Sequence, residues 1–204
     1  EVTANDKLGQ FLSVRSDLIP QEFLDELREF QEQGVSSSPD EIKATIEAAF
    51  NKSVEEIFHS IDLTPIKVGT IGEICLVVFH DKTRGVIKVI TPSKRKAIEE
   101  NLARLEKTAH SVSRHMDMFD HKIDVLKLFE EFKKSMEEQL DLRNEFENAV
   151  IFRESLPEGI EMPRFYPELT AQSVLVQSFV EGINPLETSP EIRKQVARSV
   201  GSMF

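Results

Sequence analysis

Lys88 lies between β-branched residues in a short strand-like run, residues 86–89, that follows two glycine-containing segments. A lysine in a strand that follows a glycine-containing strand pair can bind the α- and β-phosphates of a nucleotide. A lysine on a strand is more commonly a solvated edge residue, however. Phosphate binding by Lys88 is therefore a hypothesis that needs support from other residues.

Asp141, Glu145 and Asn148 form a second polar group. Apolar residues recur at helical spacing over about residues 120–154, which predicts one long helix. On that helix the three residues fall at i, i+4 and i+7 and share one face. One interpretation is an ordinary solvated face. The alternative pairs Glu145 with Lys88 and directs Asp141 at a nucleotide pocket.

Lys7, Gly9 and Gln10 form a third group, near the start of the chain. Lys7 and Gln10 lie opposite an apolar helical stripe that includes Leu8 and Phe11. Glycine inside a helix costs roughly 1 kcal/mol relative to alanine. Gly9 therefore indicates a close approach of another part of the protein.

The elements that must position these residues are read from hydrophobic periodicity and turn residues. Helices are predicted over most of the first 60 residues, over about 92–112 and over about 120–154. Strands are predicted within 63–79, over 86–90, near 165–166 and over 173–180, and a last helix begins at about 191. The fold class is α+β. The predicted domains are a helical extension over 1–60, a lobe over 61–182, and a linker with the start of a second lobe over 183–204.

Composition narrows the classes of function. The chain has 204 residues and a net charge of −11, which argues against a nucleic-acid-binding surface but leaves room for a local nucleotide pocket. Cys75 is the only cysteine and stands in an apolar run, so a buried thiol is predicted rather than a nucleophile. The five histidines lack metal-ligand spacing. No apolar run is long enough for a transmembrane helix, and the first residues do not read as a targeting peptide.

Together, and in this order, the motifs resemble the UbiB family of atypical kinase-like proteins, which are linked to ubiquinone and other isoprenoid quinones. The matching segments are the Lys-x-Gly-Gln motif within residues 7–20, an alanine-rich nucleotide loop over 65–74, the lysine strand over 86–89, the Glu-x-Asp helix over 139–152 and a hinge over 174–182. The match extends over nearly the whole chain.

The resemblance implies the N-lobe of a protein-kinase-like fold, with an antiparallel sheet, a long helix and an N-terminal helical extension. It also implies roles for residues of this chain. Lys88 would contact nucleotide phosphates and Glu145 would be its ion-pair partner. The helix of Lys7, Gly9 and Gln10 would cover the ATP site. The remaining site residues are Gly69, Thr70 and Gly72 in the nucleotide loop, Asp141 and Asn148 in the helix motif, and Ser178, Phe179 and Val180 in the hinge that would meet adenine.

An ordinary kinase arrangement would instead place the partner of Lys88 on the next helix, at Glu99, Glu100 or Glu106. The resemblance favours Glu145, because it stands beside Asp141 in a matching motif.

The sequence departs from the family pattern at several positions. Gln139 replaces the first acid of the Glu-x-Asp motif, and an amide supplies neither the charge nor a base. Gly69 and Thr70 stand where the family has alanine and serine. Glu73 replaces a glutamine, which adds a negative charge near the expected phosphates unless its side chain points away.

The expected catalytic-loop Asp and Asn and the metal-binding Asp do not occur before Phe204. The C-lobe is thus expected to be absent from this chain, and no catalytic residue is assigned within it. We expect the chain alone not to catalyse phosphoryl transfer.

The leading interpretation is part of an ATP- and Mg²⁺-dependent kinase-like ATPase that supports ubiquinone or isoprenoid-quinone metabolism. Protein kinase activity is disfavoured, because the Lys7 and Gln10 helix would block the substrate side. A catalytically inactive, pseudokinase-like interaction module is the alternative, and an α+β domain without a nucleotide site is a third. Family resemblance implies membrane lipid or quinone-synthesis proteins as partners, and a mitochondrial, plastid or bacterial inner-membrane location.

Overall fold

A five-stranded antiparallel sheet organises the chain in the computed structural model, which describes residues 21–32, 36–116, 124–156, 160–182 and 188–194. The strands are β1 (Ser60–Val68), β2 (Glu73–Val78), β3 (Arg84–Val89), β4 (Phe165–Ala171) and β5 (Val174–Ser178). Their order across the sheet is β1-β2-β3-β5-β4, with every neighbouring pair antiparallel. Lys7, Gly9 and Gln10 lie outside the described residues.

Helices precede the sheet and are inserted between β3 and β4. They are α1 (Gln21–Glu32), α2 (Pro39–Phe50), α3 (Val54–Ile57), α4 (Pro92–Met116), α5 (Val125–Gln139) and α6 (Leu142–Glu154). The α+β class and the antiparallel sheet predicted from the sequence are confirmed.

The sequence predicted one helix over about 120–154, and this prediction is wrong. The chain leaves helical geometry at Asp141, whose φ is −113° and ψ is 102°, and α6 begins afresh at Leu142. Aspartate is favoured at a helix N-cap because its carboxylate can accept an unsatisfied backbone N–H. Here the Asp141 carboxylate accepts from the Arg143 amide. The helical spacing of apolar residues continues across the break, so this spacing alone predicts a single helix.

One face of the sheet packs on α2 and α3. β2 alternates strictly between buried and half-buried residues, as expected for a strand with one face against a core. The side chains of this core are Ile42, Ile46, Val54, Ile57, Phe58, Cys75, Val77, Ile87, Val89, Val174 and Val176. Burial of this face fixes the register, because a one-residue slip would turn its whole apolar set to the other side.

A second core forms where the helices pack together beside the sheet. Its largest members include Phe23 and Leu27 of α1, Leu105 of α4, Phe129 and Met136 of α5, and Leu142 of α6. The seam predicted along α5 from its apolar spacing is thus buried as expected. Leu175 of β5 joins this core, so the inserted helices rest against the sheet.

Cys75 lies in the centre of β2 with its side chain fully buried. Burial, with smaller contributions from the Glu73 and Asp62 carboxylates, raises the pKa of its thiol to about 12. A protonated, enclosed thiol is a poor nucleophile, which confirms the prediction made from the apolar run.

We therefore expect Cys75 to resist alkylation in the folded chain at mildly alkaline pH and to react once urea unfolds the chain. The measurement is the extent of iodoacetamide modification at Cys75, mapped by mass spectrometry. Because the folded thiol holds its proton more tightly than the unfolded one, its contribution to stability is complete below pH 9.0 and is lost as pH rises towards about 12. Rapid modification of the folded chain would contradict this assignment.

Candidate functional site

Lys88 lies on the face of the sheet opposite the α2 and α3 core. The register places it beside Ile74 of β2 and Leu175 of β5, and opposed residues in an antiparallel pair share a face. Val86, two residues earlier, lies on the same face and is opposed by Gln177. Lys88 is half-buried there, so it is not the fully solvated edge residue of the alternative reading.

The Lys88 ammonium donates to the Glu145 carboxylate, with 2.6 Å between Nζ and Oε2. The side chains keep 24% and 32% of their exposure, so solvent screens the pair in part. Two of the three alternative glutamates on α4 have other partners: Glu100 approaches Lys96 and Glu106 approaches Lys133. The structure therefore pairs the two residues that the family pattern predicted to pair. In the ordinary kinase arrangement the glutamate would instead lie on α4, the helix that directly follows β3.

A narrow groove surrounds the ion pair. Its lining consists of Ile74, Val86, Lys88, Glu145, Leu175 and Gln177. Its volume is only about 10 Å³, far below the roughly 300–1,000 Å³ of typical small-molecule sites, so the described residues close tightly around the ion pair. The sequence reasoning missed Gln177. Strict alternation along β5 would have found it, because Gln177 is in phase with Leu175 on the groove face of the strand.

The loop between β1 and β2 contacts Lys88 directly. The Gly69 amide donates to the Gly72 carbonyl at 2.9 Å and closes the loop, in which Thr70 is half-buried. A Cβ at Gly72 would lie 3.0 Å from the Val89 carbonyl oxygen and 3.4 Å from Cγ and Cε of Lys88. A side chain at this position would force its neighbours to shift by a few tenths of an ångström, so the absence of one at Gly72 sets how closely the loop covers the lysine.

Lys94 forms a second contact with the same loop. It is buried, and its ammonium donates to the Gly69 carbonyl at 3.2 Å. Burial lowers the pKa of Lys94, and the nearby Glu73 carboxylate partly opposes that shift. The position of the loop thus depends on a buried cation as well as on its glycines.

Glu73 points away from the Lys88 groove. It is opposed by the buried Val89, on the core face of the sheet, and its own side chain is fully buried. Its Oε1 accepts from the Ser37 amide at 2.8 Å, and Oε2 has no hydrogen-bond partner within the described part of the chain. The negative charge expected near the phosphates is therefore on the other side of the sheet.

Asp141 lies at the break between α5 and α6, not inside the continuous helix that the sequence predicted. As the N-cap of α6 it binds the Arg143 guanidinium, whose hydrogen bond is the main cause that lowers the pKa of the Asp141 carboxyl. It therefore does not share a helical face with Glu145, and it does not line the groove. Asn148 is exposed on α6, one turn beyond Glu145.

Two contacts hold the break before α6. The Leu142 amide donates to the Gln172 carbonyl in the β4–β5 turn at 2.9 Å, and the Arg95 guanidinium donates to the Leu140 carbonyl at 2.8 Å. Gln139, which replaces the first acid of the family motif, donates to the Ser135 carbonyl and stays local to α5. These contacts set the direction from which Glu145 enters the groove.

The hinge residues follow β5. The Ser178 and Phe179 amides are used within the sheet, where they donate to the Arg164 and Arg84 carbonyls at 2.8 and 3.1 Å. The Arg84 guanidinium lies 4.4 Å from the centre of the Phe179 ring. Val180 is exposed, and no described residue accepts from its amide. An open depression of about 440 Å³ adjoins this segment, lined by Arg84, Phe179, Glu181 and Gly182.

Within the described ranges, no group of three or more His, Cys, Asp or Glu side chains is arranged to hold a metal ion. In the same ranges, no helix is both long and apolar enough to cross a membrane. The described residues therefore contain no metal-binding set of their own.

Comparison with known proteins agrees with this geometry. The profile of the ABC1 atypical kinase-like domain matches residues 29–203. The chain is 29% identical over 179 residues to protein ACTIVITY OF BC1 COMPLEX KINASE 7, chloroplastic, of Arabidopsis thaliana, and 28% identical over 179 residues to the probable protein kinase UbiB of Cellvibrio japonicus. Each alignment covers 87% of this chain but only 26% and 32% of the respective relative.

A solved structure supports the fold. The chain is similar to Rv3197 from Mycobacterium tuberculosis, determined in complex with erythromycin, with a TM-score of 0.61 and 22% sequence identity. The superposition covers 95% of this chain and 50% of that protein. The kinase-like architecture extends through the described helices and sheet.

Replacing Gly72 with alanine is expected to destabilise the chain by about 1–2 kcal/mol, because the new methyl group would be too close to the Val89 carbonyl and to Lys88. Urea unfolding measures the change. Gly182→Ala is the matched control, since a Cβ there meets nothing within 4 Å, and it should leave stability within about 0.5 kcal/mol. Equal stability of the two variants would show that the loop does not pack against Lys88 as described.

Proposed function

Because the chain belongs to the ABC1 atypical kinase-like family, we propose that its groove binds ATP as part of a kinase-like ATPase. The observation that carries this proposal is the 2.6 Å ion pair of Lys88 and Glu145 under the glycine loop. Kinase-type sites use a lysine of this kind on the α- and β-phosphates and a glutamate to hold it. Lys88 is the proposed phosphate ligand, and Glu145 is the proposed residue that positions it.

Other residues are proposed to complete the nucleotide site. Gly69, Thr70 and Gly72 would present loop backbone to the phosphates, because the loop lies against Lys88. The hinge would meet adenine at its backbone. The Ser178 and Phe179 amides are already bonded within the sheet, so the Val180 amide is the available donor among these three.

Mg²⁺ accompanies ATP in kinase-type chemistry, where it neutralises charge on the phosphates. The described residues supply no ligand set for it, so we propose that the phosphates and carboxylates outside the described residues hold the ion. Lys88 would neutralise charge on the phosphates from the sheet side, whereas Glu145 keeps the ammonium directed into the groove.

The biological role proposed here is support of ubiquinone or isoprenoid-quinone metabolism, which rests on similarity to relatives named UbiB. The chain spans about a quarter to a third of the length of the curated relatives it matches, so activity, lipid partners and a mitochondrial, plastid or bacterial inner-membrane location are proposals for the whole protein. The segment with Lys7, Gly9 and Gln10, predicted from the sequence to be helical, is proposed to cover the ATP site and to disfavour protein substrates.

A pseudokinase-like interaction module is the second candidate. Two observations favour it: Gln139 supplies no charge and bonds to its own helix, and the Asp141 carboxylate is engaged by Arg143. In this arrangement neither position of the family motif directs a carboxylate into the groove. Such a module would bind a nucleotide or a partner without turnover.

In the full-length protein, saturating Mg-ATP is expected to raise the melting temperature, because a ligand at 100 times its Kd stabilises the folded state by about 2.7 kcal/mol. Lys88→Met should abolish most of that shift while leaving the melting temperature without ligand little changed. Differential scanning fluorimetry measures both. ATP hydrolysis, measured with and without quinone-lipid vesicles, separates the two candidates, because the pseudokinase-like module would bind without turnover. A wild-type protein that Mg-ATP does not stabilise would rule out the ATP site.

The roles of Lys88 and Glu145 are expected to be coupled. Glu145→Gln should weaken Mg-ATP binding in the wild-type background but have little further effect in Lys88→Met, which gives a coupling free energy of about 1–2 kcal/mol. Isothermal titration calorimetry of the two single variants and the double variant measures this. Additive losses would show that Glu145 does not act through the lysine.

A further inference from the structure

Lys67 lies on the same face of the sheet as Lys88. The register opposes Lys67 of β1 with Ile74 of β2, and Ile74 is in turn opposed by Lys88 of β3. Opposed side chains of antiparallel strands project to the same side. Ile74 itself lines the Lys88 groove. Two lysines therefore flank one groove residue, separated by a single intervening strand.

This placement depends on an irregularity in β1. Asp62 is opposed by Leu76, so a regular ladder would bring Thr64 opposite Ile74. The register shifts between Asp62 and Lys67, and Lys67 takes that place instead. Without the shift, Lys67 would be in phase with Ile61 and Leu63, which pack on the buried core. Bulges of this kind re-aim side chains next to functional sites.

The Lys67 charge is available to a ligand. The side chain is exposed and makes no ion pair with any residue in the described ranges. Glu73, the acid opposed to the neighbouring Val68, is buried on the opposite face. An unpaired ammonium is a compact charge with three donors, suited to phosphate oxygens. Lys88, by contrast, is already held by Glu145.

The distance between the lysines suits a polyphosphate. Neighbouring strands are about 4.8 Å apart, so the backbones of β1 and β3 are separated by about 10 Å. Two lysine side chains that converge from positions so separated can contact different phosphates of one chain. The Gly69–Gly72 loop begins two residues after Lys67 and approaches Lys88 at Gly72. The loop would therefore present its backbone between the two cations.

From these observations we infer that Lys67 is a second phosphate-binding cation, which contacts the polyphosphate of the nucleotide from the β1 side of the groove. This inference rests on the proposed function, because it assigns a further ligand contact to the same site. It adds a residue outside the lysine–glutamate pair and makes phosphate affinity depend on the β1 irregularity.

A lysine on an edge strand also discourages edge-to-edge aggregation, and β1 is an edge strand of the described sheet. That role requires only an exposed charge and predicts no effect on ligand binding. The two roles are separable, because a phosphate contact acts on ATP and leaves adenosine unaffected. Lys52 provides a matched control: it is an exposed lysine between α2 and α3, which pack on the other face of the sheet.

The test is isothermal titration calorimetry of the full-length protein with Mg-ATP and with adenosine, at low and at physiological salt. Lys67→Ala should weaken Mg-ATP binding about fivefold, which is the loss expected when one exposed charge pair is removed. Its affinity for adenosine should be unchanged. It should also make Mg-ATP affinity less sensitive to salt. Lys67→Arg should retain affinity, and Lys52→Ala should bind as the wild type does.

Wild-type affinity for Mg-ATP in Lys67→Ala would overturn the inference while leaving the proposed function intact. Equal weakening of Mg-ATP and adenosine would also overturn it, because the loss would then not arise at the phosphates. A wild-type protein that binds neither ligand would instead overturn the proposed function, and the inference with it. Unchanged melting temperatures of the variants without ligand exclude misfolding as the cause of a loss.

Discussion

The ion pair between Lys88 and Glu145 requires that a sheet and a helix distant in the chain meet at hydrogen-bond distance. Lys88 is fixed by its register between β2 and β5, which the buried face of the sheet specifies. Glu145 is fixed by the start of α6, which the β4–β5 turn holds through the Leu142 amide. A half-buried pair contributes little to stability by itself. The pair matters because it directs the ammonium into a groove whose other walls are mainly apolar.

The residues around the groove are arranged about the Lys88 side chain. The Gly72 backbone lies against the lysine stem because no side chain separates them, and Lys94 holds the far end of the same loop through the Gly69 carbonyl. The fully buried Glu73 turns its charge to the opposite face. Cations thus surround the loop, while the one acid of β2 is removed from the groove. This arrangement is consistent with an anionic ligand for a protein of net charge −11.

The sequence predicted the sheet, the α5 seam, the buried Cys75 and the Lys88–Glu145 pairing, since each depends on periodicity or on an ordered set of motifs. It failed where local geometry overrides periodicity. Asp141 ends the helical geometry because its carboxylate caps α6. The spacing of apolar residues continues across this cap and therefore does not predict it. Lys67 changes face through an irregular register, which alternation along a strand cannot anticipate. Gln177 could have been predicted from the alternation of side chains along β5, because it lies on the same face as Leu175.

The interruption before α6 has a mechanical consequence. α5 is embedded in the helical core, whereas α6 packs on β4 and β5 and is tied to their turn. A continuous helix would transmit any rotation of α5 directly to Glu145. Because the backbone bends at Asp141, α6 packs on β4 and β5 in a direction that differs from that of α5, and Glu145 is held against the same sheet that carries its lysine. In ordinary kinases the positions of the equivalent lysine and glutamate are a point of control. In this structure the sheet holds both members of the pair, so we expect control to act on access to the groove.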